Sequence, residues 1–181
     1  MRTLSLVAVL LAGAGLSLAD DKPKDDFKRE PPRAGKDALE DKAPPPLTVE
    51  KWMNTDDKPL DLKDLKGKVV VLDFWGVWCP PCRAAMPKLK QLYSQHKDDG
   101  LVIIGVHTTR QGERMANFVK EQKLPWPIAL DVEGKTVKAF LVDSFPDYYL
   151  IDRSGKLRVA DLANADLERA VKILLKEPAP K

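Results

Sequence analysis

Residues 69–87 read Val69-Val70-Val71-Leu72-Asp73-Phe74-Trp75-Gly76-Val77-Trp78-Cys79-Pro80-Pro81-Cys82-Arg83-Ala84-Ala85-Met86-Pro87, a run that holds both cysteines of the 181-residue chain. Its first half is short, rich in Val and aromatics and almost uncharged, the pattern of a central strand buried on both faces. After Cys82 the apolar residues Ala85, Met86, Leu89, Leu92 and Tyr93 recur at helical spacing, with Arg83, Lys88, Lys90 and Gln91 on the other side. A strand that delivers Cys-x-x-Cys onto a helix N-terminus sets the first sulfur where unpaired backbone N–H groups and the helix dipole favour negative charge, and the thiolate is the reactive form.

Neither proline between the cysteines offers an N–H. A residue before proline is pushed away from helical dihedrals, so Pro80 is expected outside the helix, while Pro81 suits its first position. Cys79 is then expected at the exposed edge as the nucleophile. Cys82, inside the first turn, is close enough to resolve a mixed disulfide on it.

On these residues the run resembles the active site of the thioredoxin superfamily. Asp73 falls where that family has a buried carboxylate, Trp75 and Trp78 match its two tryptophans, and Pro87 matches the proline that kinks its active-site helix. The Trp-Cys-Pro-Pro-Cys version, with the rest of the chain, is similar to the extracytoplasmic TlpA-like thiol:disulfide oxidoreductases, which share the AhpC/TSA-Redoxin-like domain. The resemblance implies a redox-active Cys79–Cys82 disulfide and no other cofactor.

Other readings of a cysteine pair stand beside this one. A zinc site needs about four ligands, and only His96 and His107 remain as strong candidates. A structural disulfide across two residues closes so small a loop that chain entropy stabilises little. A peroxidase of the peroxiredoxin type needs Thr three positions before its reactive cysteine, where this chain has Gly76. A copper-handling protein would use the pair with His107, and a non-enzymatic adaptor would keep the fold without needing the thiols.

With 44% hydrophobic residues, the length suits one domain plus appendages. Residues 1–19 carry Arg2, an apolar run over 4–16, and Ser17 and Ala19 at signal-peptidase spacing, so they read as a secretion signal. The alternative is an uncleaved membrane tether, although the run is shorter than the roughly 20 residues that span a bilayer. No cysteine follows the run, which excludes a lipid anchor on an N-terminal cysteine. Export makes structural disulfides common, yet the only cysteines sit in the redox motif. The formal net charge is +3, or +2 without Arg2, too near neutral to suggest nucleic-acid binding.

Residues 20–46 are mostly charges and prolines and read as a disordered linker. The globular domain is expected over 47–177, with 178–181 a flexible tail. Leu47, Val49 and Trp52 fall near strand spacing, and Leu60, Leu62 and Leu65 follow a polar turn. TlpA-like proteins have a similar N-terminal strand pair before Leu-Lys-Gly-Lys, which residues 65–68 reproduce; this extension is expected to cover one sheet edge.

Beyond the active-site helix, residues 101–106 read as the next buried strand, and strand-helix-strand order implies parallel pairing. Residues 112–123 suit a helix and 128–130 a short strand, the helix-strand insertion that separates TlpA-like proteins from thioredoxin; Trp126 reads as a packed loop residue. A short helix over 136–141, a hairpin of 148–152 with 156–160, and a helix over 164–176 complete the chain. The fold class is α/β and thioredoxin-like, a central mixed sheet with helices on both faces.

The resemblance also places a cis-proline at Pro146, with Phe145 lying against the substrate. The surface implied for substrate binding is Trp78, Pro80, Pro81, Phe145 and Pro146. Many relatives have Thr after the cis-proline where this chain has Asp147. Facing the sulfurs, Asp147 would raise the thiol pKa; the preferred reading is a solvent-facing charge at the strand edge. Asp73, in an apolar strand, is suited to accept the Cys82 proton, the alternative being an ion pair with Lys66 or Lys68. Thioredoxin pairs its acid with a lysine of the neighbouring strand, and residues 101–109 contain none.

The expected function is thiol:disulfide oxidoreduction, and resemblance to the TlpA-like proteins implies that it takes place in the bacterial envelope, on envelope protein disulfides and more as reductase than oxidant. By resemblance, a membrane thiol-reducing system is the electron donor, apocytochromes are candidate substrates and the protein is a monomer.

Overall fold

The structure, a computed structural model, describes residues 26–31, 33–56 and 58–180. The expected signal at 1–19, the first part of the expected linker at 20–25 and residue 181 of the tail lie outside the described residues. In chain order the elements are β1 (Val49–Met53), β2 (Val69–Trp75), α1 (Pro80–His96), β3 (Leu101–His107), α2 (Met115–Glu121), β4 (Ile128–Asp131), α3 (Lys135–Ala139), β5 (Asp147–Ile151), β6 (Leu157–Leu162) and α4 (Leu167–Lys176). The strands form one mixed sheet, ordered β1-β4-β3-β2-β5-β6.

β2 is central and wholly buried because each of its faces packs on a separate core. Val69, Val71 and Trp75 face the core built from Cys82, Met86, Leu89 and Leu92 of α1 and Leu167, Ala170, Val171 and Leu174 of α4. Val70, Leu72 and Phe74 face the other, with Phe140, Tyr149, Ile151 and Leu157. β2 runs parallel to β3, from Val69 opposite Leu101 to Trp75 opposite His107. It runs antiparallel to β5, with Asp73 opposite Tyr148 and Phe74 opposite Asp147. The α/β class, the mixed sheet and the helices on both faces stand as the sequence implies. β1 pairs with β4 at one edge, and α2 with β4 form the insertion.

Three local expectations are corrected. The linker expected to be disordered is, over its described part, a strap laid along β6. Phe27 is buried, Arg29 bridges to Leu162, and the backbone N–H groups of Glu30 and Asp41 donate to the carbonyls of Asp161 and Leu157. Glu40 accepts from Arg29, Arg33 and the Ala160 N–H, so charges that read as solvated are satisfied by a sheet edge. The second N-terminal strand is replaced by a 3-10 helix at Leu62–Leu65, capped by Asp61, whose carboxylate accepts from the Lys63 N–H. Helix α1 begins at Pro80 rather than Pro81: both prolines occupy the first turn, where backbone N–H groups have no intrahelical partner to lose. Glu177, the last residue expected in the domain, is held by Arg158 at 2.9 Å.

Candidate active site

Cys79 caps the N-terminus of α1 and is disulfide-bonded to Cys82. The Cys82 N–H points at Cys79 Sγ, 3.2 Å away. The sulfur therefore sits where the helix leaves donors unpaired and where a thiolate would be favoured. On its other side Sγ lies 3.6 Å from the Phe145 carbonyl oxygen. Phe145 precedes Pro146 through a cis peptide bond, and Pro146 leads into β5.

The expectation that Cys79 lies at an exposed edge is corrected: in this oxidised form the residue is 2% exposed. Phe145 and Trp78 lie over this end of α1 as an edge-to-face pair, centroids 5.5 Å apart, each half-buried. Pro80 and Pro81 are exposed beside them. The five residues expected to receive a substrate thus gather around the disulfide.

Gly76 allows this arrangement. A Cβ there would lie 2.6 Å from Trp78 Nε1 and 2.8 Å from its Cε2, so no larger side chain fits beneath that ring. The threonine of a peroxiredoxin site would collide with the same ring, a physical ground against the peroxidase reading. Trp78 donates to Thr108 Oγ1 at 3.3 Å, and the Arg110 guanidinium stacks on its face 4.5 Å from the centroid. Sequence reasoning missed Thr108 and Arg110. The signal available was position: they follow β3 at its carboxyl end, beside the end of β2, where sites on parallel strands collect.

His107 is buried against Trp75, ring centroids 4.8 Å apart. Its Nε2 accepts the Val77 N–H at 3.0 Å and its Nδ1 contacts the Thr108 carbonyl at 2.6 Å. Burial lowers its pKa despite the Thr108 hydrogen bond and nearby Glu113, which keeps the ring neutral. With both nitrogens engaged, His107 has no lone pair to offer copper; it anchors the loop before Cys79.

Asp73 lies in β2 between Val71 and Trp75, on the α1 side of the sheet, and is buried. Burial raises its pKa to about 7, and Oδ1 has no hydrogen-bond partner. The alternative pairing with Lys66 or Lys68 is absent. Its cross-strand neighbour is Tyr148, whose phenol burial and the Asp73 charge push above its ordinary range. An acid kept near neutrality inside a core can take up or release a proton at physiological pH.

Both readings offered for Asp147 are corrected. It is buried, and it lies on the Phe74 and Tyr149 side of the sheet, away from the sulfurs. Its neighbours are Asp161, Asp143 and Lys36. Burial, then Asp161, raises its pKa to about 8 against the pull of Lys36.

The profile of the AhpC/TSA family matches residues 39–160. The thiol-disulfide oxidoreductase ResA of Bacillus thuringiensis is 36% identical over 123 residues, 68% of this chain and 70% of that protein. Among solved structures, a thioredoxin-like superfamily protein superposes with TM-score 0.68 at 28% identity, covering 77% of this chain and 99% of its own. A thiol:disulfide interchange protein from Bacteroides sp. superposes with TM-score 0.63 at 29% identity, covering 75% of this chain and 90% of its own. A cysteine pair capping a helix, a buried acid of raised pKa on the same face of the sheet and a cis-proline loop against the pair agree with those likenesses. The chain belongs to the AhpC/TSA family and, within the thioredoxin superfamily, is a TlpA-like thiol:disulfide oxidoreductase.

Proposed function

We propose that this protein is exported and works mainly as a reductase of envelope protein disulfides. The observation that carries the reading is Cys79 Sγ held between the Cys82 N–H and the Phe145 carbonyl, at the end of a helix and beside a cis-proline. In the reduced protein the Cys79 thiolate attacks one sulfur of a substrate disulfide and expels the other as a thiolate. Cys82 then gives its proton to Asp73 and attacks Cys79 Sγ, which reforms the Cys79–Cys82 disulfide and frees the second substrate thiol. Two electrons pass to the substrate, and a membrane thiol-reducing system returns them.

Docking uses the Phe145 backbone before Pro146, whose ring nitrogen has no hydrogen to donate, together with Trp78, Pro80 and Pro81. Export is supported by the residue pattern of 1–19 and by a chain whose two cysteines are both in the redox motif. Relatives include proteins named ResA and DipZ. Apocytochromes are the substrate class proposed, and the protein acts as a monomer without binding nucleic acid.

Equilibration against glutathione redox buffers tests the direction. A reductase should have a potential below about −200 mV and reduce insulin in a Cys79-dependent manner, whereas a value near −120 mV would make it an oxidant.

A further inference from the structure

Lys36 is the most deeply buried charge of the N-terminal strap, its side chain only 2% exposed. Its ammonium donates to Asp143 at 2.7 Å and, still more closely, to Asp161 of β6. Burial alone would lower its pKa; the hydrogen bonds to these two carboxylates outweigh that and raise it. Asp147 adds its field, and the carboxylates of Asp143, Asp147 and Asp161 lie within 4.8 Å of one another. Asp143 and Asp147 flank Phe145 and Pro146, so one ammonium faces both ends of the loop whose Phe145 carbonyl touches Cys79. The strap meets this region a second time at Gly35, where a Cβ would lie 3.0 Å from Leu141.

We propose that Lys36 is a positioning residue: by drawing Asp143 toward Asp161 it sets the loop of residues 143–147 against Cys79 and so governs how a protein disulfide docks. Without that ammonium no ion pair ties Asp143 to Asp161, and residues 143–145 have no strand pairing of their own to hold the loop in place. Lys36 acts on docking rather than on sulfur chemistry, because it lies across the sheet from the disulfide. The proposal rests on the reading above that the pair exchanges with protein disulfides.

The test compares the wild type with Lys36→Met and with Lys36→Met/Asp161→Asn, which leaves no unpaired buried carboxylate at position 161 and keeps a folded protein in hand should the single variant fail. Expected is a KM for insulin raised about 5-fold or more in both, with kcat and the rate toward hydroxyethyl disulfide within about 2-fold. Amide exchange at residues 143–145 should quicken in both variants. A purely structural role would instead restore KM in the double variant along with its melting temperature. Wild-type KM and unaltered loop exchange in either folded variant overturn the proposal. A wild type that reduces no protein disulfide would refute the functional reading, and the loop exchange would still decide the role of Lys36.

Discussion

Asp73 makes the sharpest residue-scale prediction because its environment is one-sided: buried, unpaired at Oδ1 and titrating near 7. In the unfolded chain the same group titrates near 3.8, so between these values the unfolded state loses its proton first and stability falls as pH rises. Asp73→Asn removes that slope. The variant should gain on the wild type by a few kcal/mol between about pH 4 and pH 7 in urea denaturation of the oxidised protein. It should also slow release of product from the mixed disulfide on the order of 100-fold. A stability difference independent of pH, or an unchanged resolution rate, argues against the relay. Asp147, across the sheet, should behave otherwise. Asp147→Asn is expected to leave the pH profile of Cys79 alkylation unmoved, and a shifted profile would mean that its charge reaches the sulfur.

At the scale of elements, the turn between β2 and α1 depends on Gly76. Gly76→Ala places a methyl against the Trp78 ring, which must leave both Phe145 and the Arg110 guanidinium. A loss of roughly 10- to 100-fold in kcat/KM for insulin is expected, with a smaller loss for hydroxyethyl disulfide; equal losses would place the fault at the sulfurs instead. These elements were legible in the sequence to different degrees. β2 and α1 were legible because the Val69 to Trp75 run and the Met86, Leu89, Leu92 spacing record burial directly. The strap was not: its order comes from Glu40, Lys36 and Arg29 pairing with partners more than a hundred residues away or across a turn, and composition alone cannot distinguish a paired charge from a solvated one. Asp147 was misread for the same reason, since strand alternation fixes its face only when the register of β5 on β2 is known.

For the molecule as a whole, the two faces of the sheet have separate duties. The α1 and α4 face holds the disulfide, Asp73 and Tyr148, with Phe27 at the start of the strap packed among them; the other holds the Lys36 cluster, and Phe145 packs against both. Chemistry and docking are therefore expected to separate on mutation, which is how the Asp73 and Lys36 variants differ above. All of it presupposes that Cys79 attacks and Cys82 resolves. Trapping tests that order most directly: reduced Cys82→Ser and reduced Cys79→Ser proteins are each mixed with a disulfide-bonded substrate, quenched with acid and mapped by mass spectrometry. A mixed disulfide through Cys79 should accumulate in Cys82→Ser, with none in Cys79→Ser; an adduct formed through Cys82, or no adduct in either, would contradict it.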